Sequence, residues 1–441
     1  MTKEEALPPG AVQGSRHGAA SPFGWRALIL LLLMALLARG YGKVVRGGGA
    51  DFLFYWHAGR EVLAGHHPYA VEGYYYPPFF AVGMAGLAWL PWKVAAAVWL
   101  GVLALGLVVV GRWVIATLDS SDERKSRGGR LWQSRPAWVL GLALVVVFRL
   151  VDSNFGYGQA NLPVLGLVAG ALWAWQRGRT GWAGGFAGLA TAAKVLPGVL
   201  ILYWLLRRDW RAAGIAAVVT GLAVVALPVL LLGWHEYWAG VQAWMGGDVG
   251  AMMRGGRALI EAREFPAGQS LPAAMYRWFC DVPASAQEGL ALRCNVLSLD
   301  PDRVRYGVLA LRLVLLGILV RLVWGSRVPR TSSLWLAEAG LVLGFGLLVG
   351  PLVHKAHLVW MLPGFAAWLA HARGRGEWLF GGFAAFAIAG STSALMGREG
   401  ARLWNAGGGL TLGSLALWIA LAMILGRLRR EAVAEDSRPL D

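Results

Sequence analysis

Long apolar runs recur along the chain at 24–39, 94–117, 136–150, 162–176, 181–206, 213–233, 304–324, 334–350, 356–370, 378–396 and 410–426, with short polar stretches between them. A perpendicular membrane span takes ~20 residues, so the longer runs predict crossing helices and the shorter ones tilted or partial crossings. The segment 77–90 is shorter still. Basic residues gather between the runs: Arg124, Lys125, Arg127, Arg130 and Arg135; Arg177 and Arg179; Arg207, Arg208 and Arg211; Arg327 and Arg330; Arg373 and Arg375; Arg427, Arg429 and Arg430. The positive-inside rule assigns all of these to the cytoplasmic face.

That assignment sets two conditions. Residues 77–90 must not complete a crossing, because a full span there would carry the basic loop after Leu118 to the other side; they predict an interfacial or re-entrant helix. Residues 181–206, basic at both ends, must enter and return as two short helices hinged near Lys194 to Pro197. Irregular backbone at membrane depth is tolerated only where it is buried or lines a wet cavity, so the hinge marks a cavity. The result is an all-α, polytopic membrane domain over 23–427 with about twelve crossing or half-crossing helices. Its external loops are 40–93 and 234–303, with 151–161 and 354–357 on the same side. Residues 1–22, rich in Gly, Pro, Ser and charge without periodicity, predict a disordered cytoplasmic tail, and 428–441 a second tail. The run after Phe23 lacks a small-residue cleavage site and predicts a retained span rather than a signal peptide. Arg39, Lys43, Arg46 and Arg60 in the first external loop pull against this orientation, opposed only by Lys3, Arg16 and Arg26.

Composition agrees with the pattern. Hydrophobic residues make up 57% of the 441, and the mean hydropathy is +0.52, beyond what the polar surface of a soluble domain permits. The net charge of +16 would suggest nucleic acid in a soluble chain, but here it is dispersed along membrane-flanking loops, where it sets topology. No nucleic-acid partner is expected. The 24 tryptophans fit interfacial anchoring. Cys280 and Cys294 fall in one long external loop and are expected to form a disulfide that braces it, with two separate thiols as the alternative.

The polar groups that could carry chemistry are few. The sequence has no G-x-S-x-G, no Walker loop, no dinucleotide fingerprint and no clustered Cys/His metal signature, so no cofactor or metal is called for. Asp51 opens the stretch DFLFYWHAGREVLAGHHPYAVEGYYYPP directly after the first apolar run. It is either the N-cap of a helix from Phe52 to Leu63 or a functional carboxylate at the membrane surface, able to act as a base. Asn161, in Gly158-Gln159-x-Asn161, either caps the following helix or joins Gln159 in bonding hydroxyls. Lys194 stands in the otherwise uncharged GLATAAKVLPGVLIL, where a buried ammonium costs at least ~2.5 kcal/mol unless it snorkels or meets a phosphate. Arg277 is either a solvated loop charge or a ligand for an anion. His354 and His357 have i, i+3 spacing, but no acidic partner lies close in sequence to complete a metal site.

Taken together these pieces resemble a known family. An acid opening the first external loop, then Leu63-x-Gly65-x-x-Pro68-Tyr69, then Tyr74-x-Tyr76-Pro77-Pro78, is similar to the polyprenol-phosphate-mannose-dependent mannosyltransferases of glycosyltransferase family 87, which have the GT-C fold. The resemblance covers most of 50–365. It implies Asp51 as the base that deprotonates the acceptor hydroxyl, and it takes Tyr74, Tyr76, Gln159 and Asn161 into the substrate site. The A-x-K-x-x-P around Lys194 implies contact with the donor's lipid phosphate. Gln269 and Ser270 match an N-Q-S-L motif with Gly268 in place of its Asn, followed by Arg277. His357 matches a donor-site histidine; Ala356 stands where a second one is expected, leaving His354 to substitute, and Lys355 is a further cation for the leaving group.

The expected activity is transfer of a hexose, mannose by the resemblance, from a polyprenyl-phosphate sugar to a lipid or glycan acceptor at the outer face of a prokaryotic inner membrane, with inversion. The rival class is a secondary transporter or flippase in which Lys194 and Asp51 bind a moving ion or head group. Transporters usually show paired broken helices in related halves, and this sequence offers one convincing break.

Overall fold

The computed structural model describes residues 22–48, 50–119, 135–246, 268–283, 292–326 and 328–436. Regular structure among them is helical, apart from an isolated antiparallel bridge between Gly268 and His354. We number the helices α1 (Pro22–Lys43), α2 (Ala50–Leu63), α3 (Pro78–Ala88), α4 (Trp92–Leu118), α5 (Arg135–Tyr157), α6 (Asn161–Gln176), α7 (Thr180–Ala193), α8 (Val199–Leu206), α9 (Trp210–Gly221), α10 (Leu227–Gly246), α11 (Leu271–Phe279), α12 (Pro301–Val323), α13 (Trp335–Val349), α14 (Leu362–His371), α15 (Arg375–Ala389), α16 (Ser393–Ala406) and α17 (Gly409–Asp436). Five described segments are long and apolar enough to cross a membrane: Trp92–Leu118, Pro136–Tyr157, Trp210–Gly246, Pro301–Val323 and Gly409–Glu431. The pair α15 and α16, bent by 95°, makes a sixth if counted as one span. The chain is a multi-pass, all-helical membrane protein.

One end of the helix bundle is basic and tied together. Gln176 at the end of α6 donates to the Arg330 carbonyl (3.0 Å), and Arg207 after α8 donates to the carbonyls of Ser326 (2.9 Å) and Val328 (3.1 Å). Arg429 reaches the Trp324 carbonyl, and Arg427 bonds Glu377 and the His371 carbonyl. Glu338, fully buried, is compensated by Arg207 (3.1 Å), Tyr203 (2.8 Å) and Ser326 (2.6 Å). A buried carboxylate is tolerable only with such partners. Loops that the charge rule grouped from sequence therefore meet physically. Arg124, Lys125, Arg127, Arg130 and Arg327 lie outside the described residues.

Because Gln176 and Arg207 bond the same 326–330 segment, the chain between them leaves from and returns to that end. It turns at Lys194, whose extended backbone (φ −154°, ψ 129°) ends α7 before Pro197 starts the short turn into α8. Fourteen residues of α7 rise ~21 Å, most of the thickness of a bilayer core. The other short element, α3, has 11 residues, ~16 Å, about half the thickness of a bilayer core. α3 lies against α2 so closely that a Cβ on Gly59 would sit 2.8 Å from the Met84 carbonyl carbon. The buried face of α2, Phe52, Tyr55, Ala58 and Val62, has the i, i+3, i+4 spacing expected of such a contact.

Several boundaries differ from the sequence pattern. The expected first external segment is mostly helix, with α2 over the Phe52–Leu63 stretch and α3 within 77–90, and α5 runs on to Tyr157 through the expected 151–161 loop, since Asp152 to Tyr157 continue its turns. α10 breaks at Gly233 (φ 79°, ψ 163°), where the apolar run ends, and helix resumes to Gly246, while α11 folds within the 234–303 segment. The run 378–396 is broken between α15 and α16, and 356–370 begins as the tight turns of Lys355–Met361 before α14. α17 continues to Asp436, so 428–436 is helical; Arg427–Glu431 is an i, i+4 pair on it. Of the amino-terminal tail, only Pro22 is described, and it opens α1.

The expected disulfide is absent: Cys280 and Cys294 are not bridged. Cys280 is buried at the end of α11 while Cys294 is half-buried, and the two arms are held instead by Val296 and Leu299 amides on the carbonyls of Trp278 (2.7 Å) and Phe279 (2.7 Å).

Candidate active site

Asp51 occupies the first turn of α2, where the helix dipole favours a carboxylate, but it is not the cap. Its Oδ2 accepts a 2.5 Å hydrogen bond from Gln159 Nε2. Burial raises the carboxyl above its ordinary range; the Gln159 bond and the fields of His354 and Lys194 act in the opposite direction. The outcome is a half-buried carboxylate that is easier to protonate than a free one, which suits a base.

Gln159 is delivered by the tight link between α5 and α6. Gly158 has φ +65°, a left-handed conformation, and a Cβ there would stand 2.7 Å from the Phe52 Cβ, the residue next to Asp51. Trp99 Nε1 donates to the Gly158 carbonyl (2.7 Å) and fixes the turn. Asn161 is the first residue of α6, with Ala160 at the cap position, so the capping alternative fails. Its side chain instead donates to Gln159 Oε1 (2.7 Å) and Asn154 Oδ1 (3.0 Å), and accepts from Lys194 Nζ at 2.6 Å. One amide thus couples the carboxylate's partner to the ammonium.

Lys194 also approaches the Tyr76 hydroxyl (3.4 Å) and sits 5.1 Å from its ring centroid, a cation–π contact. Tyr76 accepts from the Tyr55 hydroxyl (2.9 Å) and stacks on Phe80 (4.6 Å between centroids). Tyr74 is buried behind it, and its hydroxyl bonds the Pro77 carbonyl (3.2 Å). Tyr76 therefore faces the cluster, while Tyr74 supports the Pro77–Pro78 turn.

The turn at His354–His357 closes another side. His357, buried, accepts at Nδ1 from the His354 amide (2.9 Å), a bond that fixes its ring, and the two imidazole centroids are 5.9 Å apart. Asn154 Nδ2 donates to the Ala356 carbonyl (2.9 Å) and Trp360 Nε1 to the Asn161 carbonyl (3.2 Å), so the turn is bolted to α5 and α6. Lys355, on the same turn, feels the positive charges of Arg149 and Lys43.

The Gly268–Arg277 group forms scaffold around this turn. The Gln269 amide donates to the Val353 carbonyl (2.6 Å), and its side chain bonds the Asn405 carbonyl (2.8 Å) and Thr411 (3.3 Å). Ser270 caps α11 through the Ala273 amide (3.2 Å), and Arg277, fully buried, donates to the Gly268 carbonyl (2.8 Å). None of these bonds runs to the Asp51–Lys194 cluster. Residues that sequence reasoning passed over include Asn154, Tyr55, Trp99 and Trp360. Asn154 had a signal, an amide at the end of an apolar run; the aromatics could not be told from interfacial anchors.

A carboxylate and an ammonium, joined through two amides and walled by tyrosine and histidine, thus meet at the irregular ends of the helices of a multi-pass membrane protein. The chain belongs to glycosyltransferase family 87, whose model matches residues 74–351. It is 28% identical over 379 residues, covering 78% of this chain and 76% of the relative, to a polyprenol-phosphate-mannose-dependent alpha-(1-2)-phosphatidylinositol mannoside mannosyltransferase of Mycolicibacterium smegmatis. To the protein of the same description from Mycobacterium tuberculosis it is 31% identical over 325 residues, 70% of this chain and 66% of that one. A phosphatidylinositol pentamannoside mannosyltransferase of M. tuberculosis matches at 28% over 223 residues, about half of each chain (47% and 48%). No solved structure matches. The enzyme class is accordingly a polyprenyl-phosphate-sugar-dependent glycosyltransferase, and the sugar these relatives transfer is mannose.

Proposed function

We propose that the protein transfers mannose from a polyprenyl-phosphate donor to a hydroxyl of an envelope glycolipid, a phosphatidylinositol mannoside or a lipid like it, at the outer face of a prokaryotic inner membrane. The observation that carries this reading is the Asp51–Gln159–Asn161–Lys194 chain of hydrogen bonds, which holds a base and a cation in one compartment. Asp51 takes the proton of the acceptor hydroxyl as its oxygen attacks the anomeric carbon. The anomeric C–O bond breaks toward the donor, and polyprenyl phosphate leaves with the electron pair, its charge met by Lys194. A single displacement inverts the centre, so a β-linked donor gives an α-linked product. Tyr76 and His357 wall the sugar, and Gln159 orients the carboxylate. Metal-ion or nucleotide chemistry is no part of this scheme. The basic end of the bundle faces the cytoplasm and the Asp51 end faces out.

The test is Asp51→Asn in purified enzyme given polyprenyl-phosphate-mannose and phosphatidylinositol mannosides. The amide still accepts from Gln159, so the variant folds, and turnover falls by ~10²–10⁴-fold, the usual worth of a positioned base. Wild-type turnover in that variant removes Asp51 from the mechanism.

A further inference from the structure

Across the His354–His357 turn from Asp51 lies a second charged compartment. Asp51 feels the charges of His354 and Lys194, whereas Lys355, on the same turn, feels those of Arg149 and Lys43. Burial, and then the charges of Arg149 and Lys43, hold the Lys355 ammonium at about 8, below its ordinary value. Cations that weaken one another in this way gain from a shared anion.

Beside them opens a cavity of about 490 Å³ lined by Arg149, Ser393, Arg398, Glu399, Arg402 and Asn405. Its three guanidiniums face one carboxylate, Glu399, which pairs with Arg402 at 3.3 Å. Arg149 reaches from α5 to the Ser391 hydroxyl (3.2 Å), and the other residues named come from α16. That segment leaves α15 at 95°, is broken at Gly397 (φ 70°, ψ 171°) and exposes Leu395 and Leu403 (74% and 51%), the habit of an element lying in a membrane interface. Bonds link the cavity to the His354–His357 turn: the Asn405 carbonyl accepts from Gln269, whose neighbour Gly268 bridges to His354.

We propose that this cavity docks the phosphodiester of the acceptor, an anionic glycolipid whose acyl chains lie against Leu395 and Leu403 and whose glycan reaches past the His354–His357 turn to Asp51. The donor's phosphate must sit at the anomeric carbon, where Lys194 already stands, so cations beyond the turn serve a second phosphate. Arginine forks suit a phosphodiester embedded at a headgroup level. The identification of this lipid as the acceptor rests on the transferase reading above; the docking of a phosphodiester does not.

The experiment follows melting of the full-length protein in neutral detergent with short-chain phosphatidylinositol, with diacylglycerol of the same chain length, or with polyprenyl phosphate. It compares wild type with Arg398→Gln, an exposed side chain whose loss leaves the fold intact, and with Arg149→Gln. Phosphatidylinositol is expected to raise the wild-type Tm, diacylglycerol to leave it unchanged, and both variants to lose the phosphatidylinositol response while keeping that to polyprenyl phosphate. In transfer assays Arg398→Gln raises the acceptor KM about tenfold, the loss of one charge-assisted contact, at unchanged donor KM. Loss of the polyprenyl phosphate response instead assigns the cavity to the donor and overturns the proposal. So does a phosphatidylinositol response that is equal in all three proteins, or missing from wild type. A response that depends on Arg398 in a protein that transfers no mannose upholds the phosphodiester site and overturns only the transferase reading.

Discussion

Lys194→Met separates an enzyme from a transporter most sharply. The substitution removes the ammonium that bonds Asn161 at 2.6 Å and Tyr76 at 3.4 Å, while methionine keeps much of the side chain's length. Losing a charge-assisted hydrogen bond costs ~1.5–3 kcal/mol, and removing a cation from membrane depth relieves ~2.5–3.5 kcal/mol, so the two nearly cancel. The variant should melt within a few degrees of wild type or slightly higher. Its chemistry should suffer far more, because a preorganised charge on a leaving group is worth ~10²–10³-fold in kcat. The discriminating assay is thermal shift with polyprenyl phosphate alone. A ligand that binds only the folded state at a hundred times its Kd stabilises by ~2.7 kcal/mol, a clear rise for wild type and little for the variant. A transporter would answer to an ion or to pH instead. Equal stabilisation of both proteins by polyprenyl phosphate refutes the role given to Lys194, whatever becomes of Asp51.

The acid limb of kcat/KM should lie above the ordinary carboxylate value near ~3.9, because burial raises the Asp51 carboxyl; a limb at or below that value would show a different base. The same shift has a sign in stability: its contribution is full below the unfolded pKa and lost as pH rises through the folded one. Asp51→Asn should therefore melt no lower than wild type at neutral pH, and a lower Tm there counts against the assignment. Gly158→Ala forces a left-handed alanine and a 2.7 Å clash with Phe52; it should destabilise by ~1–3 kcal/mol and depress activity, read by melting and turnover, and a neutral outcome would mean the turn can relax. For orientation, an impermeant thiol reagent on intact cells should label a cysteine placed at Gly65 but not one at Gly178; the reverse labelling inverts the topology.

The sequence was most informative where a residue type is costly in its setting. Lys194 in an uncharged run could be justified only by a partner, and the structure supplies Asn161 and Tyr76. Asp51 was visible for the same reason. The hinge at Lys194–Pro197 followed from charge parity, since a segment basic at both ends must double back. Element ends were less legible. Helices such as α5 and α17 continue into polar residues because their backbone bonds, and not their hydropathy, decide where they stop.

Taken alone, the order of apolar runs and basic loops determined an all-helical membrane protein with its charged loops at one end, because hydrocarbon admits no unpaired backbone and little charge. It also marked the polar residues too expensive to be idle. Which of those residues act together was a tertiary decision. Asp51, Gln159, Asn161 and Lys194 sit on three separate chain segments, joined only when α2, the α5–α6 turn and the α7 break converge. The same packing assigned Ser270 to a helix cap and brought Lys355 into the field of Arg149. A hydrogen bond depends on sub-ångström placement between distant segments, and neither spacing nor composition carries that information.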